Sequence, residues 1–163
     1  MSSHGSVWGS VGALGLALCI AVTPACASSD EEKAVREASA QFYAALNAMF
    51  EGNLAPMTAV WSHADDVTYM GPGGGFQTGW AEVLESWKAQ AARKLGGEVK
   101  FEGMQVTVGR DIAITQGFEM GSNLNAEGDP EEVAIRATNL FRKEKGRWKM
   151  IGHHTDLLSF PTE

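Results

Sequence analysis

The apolar positions of this chain change period along its length, and the changes mark its elements. Val35, Ala38, Phe42, Leu46 and Met49 recur every three or four residues, the spacing of one helical face. Ser29 followed three residues later by Glu32 has the form of a capping box, so a first helix is predicted over about Asp30–Glu51. A short second helix is predicted over about Leu54–Trp61, with Asn53 as its candidate cap. "DVTYM" then reads as a strand that ends on Gly71-Pro72-Gly73-Gly74-Gly75, a hairpin corner or flexible lid. Helical spacing returns after Gly79 with Trp80, Val83, Leu84, Trp87 and Ala91, and stops at Gly96-Gly97. The rest is strand-like: "EVKFEGMQVTV", "IAITQGFEM", "EVAIRATNLF" and "RWKMIGHHTDLL", separated by turn residues. Helices first and hairpins afterwards predict an α+β fold with an antiparallel sheet.

The last hairpin can be given a register. With Arg142 and Arg147 flanking the turn "KEKG", Phe141 faces Trp148 and Leu140 faces Lys149. One face then carries Phe141, Trp148, Met150, Ala137, Ile135 and His154. The other carries Leu140, Thr138, Ile151, Arg136 and His153. A slip of one residue exchanges the two histidines. Both faces are half apolar, so both are predicted to be covered, one by helices and the other by a second subunit.

Composition narrows the partners. The chain has 163 residues, 44% of them hydrophobic, enough for one domain with a core and too few for two ordinary ones. A net charge of -7 and the lack of a long basic run argue against a nucleic-acid partner. Residues 1–27 differ from the rest of the chain. Val11–Val22 is an uncharged run of about twelve residues, too short for a bilayer and suited to a signal peptide. Ala25-Cys26-Ala27 fits an A-x-A cleavage site, although no Lys or Arg precedes the run. Residues 1–27 are therefore predicted to be a leader and 28–163 the domain, secreted or periplasmic. Cleavage at Cys26 with lipid anchoring is a second form of export. Both cysteines, Cys19 and Cys26, lie in the leader, so a mature chain carries no disulfide and no thiol chemistry.

Several short motifs carry a resemblance. "ALNA" in the first helix, "ADD" and Thr68 opening the first strand, Gly79 before the third helix and "GRWKMIGHH" in the last hairpin occur in this order. Together they resemble the SnoaL-like and ketosteroid-isomerase-like families of the nuclear-transport-factor-2-like superfamily. The resemblance covers nearly all of residues 30–158. It implies a cone: three N-terminal helices packed in a curved, mostly antiparallel sheet, with a pocket at the open end and a dimer across the outer face.

The isomerase chemistry does not carry over residue by residue. Those enzymes place an aspartate base before a proline at the end of the first strand, where this chain has Gly71 before Pro72. The matching alignments put Phe42 at the position of the oxyanion-holding tyrosine and Thr138 at that of the sheet acid. Phenylalanine has no donor and glycine takes no proton, so steroid-type isomerisation is not expected. By the same alignment Val67, Tyr69, Gly71, Arg136, Thr138, Ile151 and His153 point inward. Arg136 beside His153 would suit an anionic ligand and hold the imidazole neutral. Tyr69, Arg136, Thr138 and His153, with Trp61 and Trp87, are the expected ligand-binding residues.

Two readings remain open. In one, an exported domain binds a small organic, anionic molecule in a hydrophobic pocket, with or without transforming it. In the other, the module is non-catalytic and works through its outer sheet face, and Arg136 pairs with an acid such as Glu119. No cofactor is expected. No metal is expected either, because His153, His154 and Asp156 alternate across a strand. His63-x-Asp65 and Asp66 are read as turn or capping residues.

Overall fold

The computed structural model describes Met1 and residues 29–157; the expected leader and its cleavage site lie outside the described residues. The helices are α1 (Ser29–Phe50), α2 (Ala55–Val60) and α3 (Trp80–Arg93). The strands are β1 (Thr68–Met70), β2 (Gln77–Thr78), β3 (Glu98–Val108), β4 (Ile112–Leu124), β5 (Pro130–Glu144) and β6 (Arg147–Leu157). They form one sheet in the order β2-β1-β6-β5-β4-β3. Every pairing is antiparallel except β1 with β6, which is parallel. The α+β cone is thus the fold, with helices packed against a curved, mixed six-stranded sheet. No described helix is long and apolar enough to cross a membrane.

Sequence pattern explains most of these boundaries. The α1 face of Val35, Phe42, Leu46 and Met49 is buried against Trp87 of α3 and the sheet. The N-cap of α2 is Leu54, without a side-chain cap bond, and not the expected Asn53, whose Oδ1 accepts from the Ala55 N–H at 3.3 Å in a turn just before the helix. The capping box does not form, because Glu32 turns its carboxylate to Arg36 at 2.7 Å. The α3 helix stops earlier than the glycine pair suggests, at Lys94, which adopts the left-handed conformation. Gly71–Gly75 is the hairpin corner: Tyr69 pairs with Gln77, and the Gly74 N–H donates to the Gly71 carbonyl. The two-residue partner strand β2 carries too short a pattern to be read from sequence.

The last hairpin departs from the expected register in a way that decides the site. Glu144 pairs with Arg147 across a two-residue turn of Lys145 and Gly146, both left-handed (φ 49° and 79°). Such a turn matches the twist of the flanking strands better than a four-residue loop. Farther in, Phe141 pairs with Met150 but Leu140 pairs with Gly152, so Ile151 is the extra residue of a β-bulge. The bulge reverses the parity of β6 beyond it. His153 joins Phe141, Asn139 and Ala137 on the inner face, while Arg136, Thr138 and His154 stand on the outer one.

Candidate functional site

A cavity of about 690 Å³ opens between α1, α3 and the inner sheet face. Its apolar wall includes Leu46 and Phe50 from α1, Trp87 from α3, and Val99 from β3. Polar side chains enter from the sheet: Glu119 from β4, and His153 and Thr155 from β6. Tyr69 and Gly71 close the β1 side, and Arg93, Glu131 and Glu132 stand at the exposed rim.

Behind this wall lies a chain of hydrogen bonds that ties one helix to three strands. Asn139 Nδ2 donates to the Tyr43 hydroxyl at 3.1 Å and to Thr115 Oγ1 at 3.2 Å. With its amide nitrogen committed there, the Asn139 oxygen must be the acceptor from His153 Nδ1, 2.6 Å away. That fixes the imidazole as the Nδ1–H tautomer. Tyr43 in turn donates to Glu119 Oε1 at 3.0 Å, and His153 Nε2 lies 3.5 Å from the same oxygen. Asn139 and Tyr43 thus orient the two groups that face the cavity.

Burial sets the charge of this cluster. Glu119 and His153 are each 4% exposed. Desolvation pushes the Glu119 carboxyl up to about 7, against a smaller downward pull from the Tyr43 hydroxyl. Desolvation likewise lowers His153 to about 3, with a smaller contribution from His154. Desolvation and then the nearby carboxylate hold Tyr43 far above the usual phenol range, and desolvation raises Tyr69 to about 12. Below about pH 7 the proton therefore sits on the carboxyl and not on the imidazole.

These shifts oppose each other in their effect on stability. Glu119 has a raised folded value, so its contribution is complete below pH 4.5 and is lost as pH rises through about 7. His153 has a depressed one, so its contribution is complete above pH 6.5 and is lost as pH falls through about 3. The two cancel between pH 4.5 and 6.5 and leave a plateau. In Glu119→Gln only the histidine contribution remains. Urea denaturation at fixed pH should then show stability still rising from 4.5 to 6.5, and a flat profile there would contradict this electrostatic picture.

The expected site residues divide into three groups. Tyr69, Trp87 and His153 line the cavity. Trp61 is buried in the core, 6.0 Å from Trp87 between ring centroids, and does not reach the wall. Arg136 and Thr138 lie on the outer face, because β5 alternates without interruption and carries Ala137, Asn139 and Phe141 inward. The Arg136 side chain is 50% exposed and makes a two-pronged contact with Asp156 at 2.6 and 3.1 Å. The expected guanidinium–imidazole pair is therefore not formed, and Glu119 is the partner of Tyr43 rather than of Arg136. His63 stacks on Trp80 at 4.4 Å and contacts the Thr58 carbonyl, and Asp66 pairs with Arg142 at 2.6 Å. No described group of three His, Cys, Asp or Glu side chains is placed to hold a metal ion.

Sequence reasoning missed Tyr43 and Asn139 by one residue each. Phe42 and Tyr43 are both buried, and only the second carries a hydroxyl to the sheet. Glu119 had a readable signal, a lone acid on the alternating inner face of β4 next to Phe118 and Met120.

Gly71 has a local reason for being glycine. A Cβ there would stand 2.3 Å from the Tyr69 hydroxyl, which Gln90 Nε2 holds at 2.8 Å. The phenol occupies the space that the isomerase base would need. Gly71→Asp should therefore cost about 1–3 kcal/mol through overpacking and supply no base at that position. Chemical denaturation and a β,γ-unsaturated ketosteroid assay check both parts; a stable, active variant would refute the packing argument.

Comparison with known proteins agrees with this architecture. A protein from Streptomyces avermitilis, provisionally named a dehydratase of the NTF2-like family, superposes with a TM-score of 0.71 at 24% identity, covering 80% of this chain and 98% of that one. A protein from Thiobacillus denitrificans, provisionally named a calcium/calmodulin-dependent protein kinase type II association domain, gives 0.65 at 28% identity over 76% and 94%. The F-box protein SKIP8 of Arabidopsis thaliana is 27% identical over 105 residues, 64% of this chain. The match spans 42% of that plant protein's length. The family model for the SnoaL-like domain matches residues 35–163, and the chain, with the fold of nuclear-transport-factor-2-like proteins, belongs to the SnoaL-like domain family.

Proposed function

We propose that the domain binds a small organic molecule inside its cone. The observation that carries this reading is the cavity of about 690 Å³, apolar along its helical side and polar at Glu119, His153 and Thr155. That is the size and composition of a small-molecule site. Thr155 Oγ1 and Trp87 Nε1 belong to cavity-lining side chains and have no partner among the described residues. Native interiors seldom leave such groups unpaired. A preference for anions loses its support, since Arg136 is outside and Arg93 stands only at the rim. A thermal-shift screen of residues 28–163 against small acids, sterols and polyketide-like aromatics tests the reading. Stabilisation by a neutral apolar class is expected; no response from any class would contradict it.

The same reading includes export and self-association. The outer face presents Ile114, Leu140 and Phe118, the last 43% exposed, around the polar row of Gln116, Thr138 and His154. An exposed aromatic, set between Glu102 and Arg136 on a face that also carries Ile114 and Leu140, suits a second copy of the sheet. Light scattering should give a dimer, and a monomer at micromolar concentration would remove this interface. N-terminal sequencing of exported material should begin near Ser28, or show a lipid on Cys26.

A further inference from the structure

Gly71 leaves two hydroxyl groups open to the cavity on its β1 side. Tyr69 pairs with His153 in the parallel ladder of β1 and β6, and two residues farther along the strands stand Gly71 and Thr155, both in the cavity wall. Because Gly71 has no side chain, the Tyr69 phenol folds back over it, and a Cβ there would collide with the phenol oxygen. That oxygen is thereby carried into the row of Thr155. It accepts from Gln90 Nε2 at 2.8 Å, and its own proton meets no acceptor among the described residues. Thr155 is 3% exposed, and its Oγ1 has no hydrogen-bond partner among them either. Native interiors seldom leave one such hydroxyl unpaired, and here two stand in one wall of one cavity.

We propose that Tyr69 and Thr155 form a binding subsite for an alcohol: the hydroxyl of an uncharged, largely apolar ligand accepts from the Tyr69 O–H and donates to Thr155 Oγ1. This deepens the small-molecule reading and rests on it.

Gln90 sets the polarity of the pair. Its amide N–H takes the accepting side of the phenol and leaves Tyr69 only a proton to give. Thr155 Oγ1 keeps free lone pairs, so the two groups together offer one donor and one acceptor. A ligand hydroxyl satisfies both with a single atom. A carbonyl oxygen only accepts, and a hydrocarbon does neither. A carboxylate finds no described cation inside the cavity, since Arg93 stands at the rim, and so bears a desolvation cost that an alcohol does not. The apolar body of the ligand lies against Trp87, whose ring centre is 4.5 Å from that of Tyr69, and against Leu46 and Phe50 of α1. Neither Tyr69 nor Thr155 takes part in the hydrogen bonds of Tyr43, Asn139 and His153, so filling the subsite leaves those bonds in place.

Three probes on one skeleton separate the possibilities: the alcohol 2-(1-hydroxyethyl)naphthalene, the ketone 2-acetylnaphthalene and the hydrocarbon 2-ethylnaphthalene. Their affinities are measured by titration calorimetry with wild type, Tyr69→Phe, Thr155→Val and Thr155→Ser. In wild type the alcohol should bind about tenfold tighter than the hydrocarbon, with the ketone between them, the ratio that two buried hydrogen bonds of modest net strength supply. Tyr69→Phe and Thr155→Val remove one bond each and keep the shape of the side chain, so each should reduce that ratio to about threefold. Thr155→Ser keeps the hydroxyl and should retain the wild-type ratio, an outcome that a purely structural role for Thr155 does not predict. Tyr69→Phe decides the matter if the Thr155 variants do not fold. Equal binding of alcohol and hydrocarbon, a ratio that Tyr69→Phe leaves unchanged, or a ketone that binds as tightly as the alcohol would overturn the proposal while leaving a small-molecule cavity standing. Failure of all three probes, the hydrocarbon included, would sink the cavity reading and this proposal together.

Discussion

Asn139→Ala should lower the unfolding free energy by about 3–5 kcal/mol, among the largest losses a single side chain here can cause. Asn139 is fully buried and makes three side-chain hydrogen bonds, to Tyr43, Thr115 and His153. Alanine removes all three at once. It strands the His153 N–H and the Thr115 hydroxyl where water has little access, so the loss exceeds that of an ordinary exposed hydrogen bond. The imidazole is also released from its fixed tautomer, and the contact to Glu119 loses its direction. Equilibrium denaturation reads the effect; a loss below about 1 kcal/mol would mean that the network is not a structural unit.

Trp87→Ala should cost a similar amount, about 3–5 kcal/mol, for a different reason. The indole is 1% exposed and lies 4.5 Å from Tyr69, 6.0 Å from Trp61, 6.1 Å from His153 and 6.3 Å from Phe42, ring centre to ring centre. Its removal joins a new void to the existing cavity. The variant should therefore be less stable yet accept bulkier ligands, with 2-naphthyl compounds bearing longer alkyl chains gaining affinity relative to wild type. Destabilisation with unchanged ligand size preference would place Trp87 in the core alone and not in the cavity wall.

Much of the architecture was legible because the sequence changes period cleanly. The face from Val35 to Met49, the Trp80–Ala91 face and the alternation of Glu98–Val108 each follow from one element burying one side. Gly71-Pro72 and the glycines after it announced the corner. The site was harder to read because it depends on parity, and parity depends on single residues. Ile151 has no signature that distinguishes a bulged residue from a paired one. Yet that one insertion carries His153 inward, away from Arg136, which the alternation of β5 places on the surface beside Asp156. Phe42 and Tyr43 differ by one position on a helix that buries both, so the spacing of apolar residues could not choose the hydroxyl. Glu119 is ordinary in composition and becomes chemically distinctive only through the groups that converge on it from α1 and β6.

The chemistry of the cavity depends on an uncharged cluster at its base, with His153 kept neutral by burial and oriented by Asn139 beside Glu119, whose carboxyl burial pushes up. Ring-nitrogen NMR of ¹⁵N-histidine-labelled protein, assigned with His153→Gln, reads that state without a ligand. The predicted result is a His153 signal that stays in the neutral Nδ1–H form from pH 8 down to 5, consistent with a value lowered to about 3. A His153 signal that titrates near 6.5, the value of an unperturbed imidazole, or one that shows the Nε2–H tautomer, would contradict it.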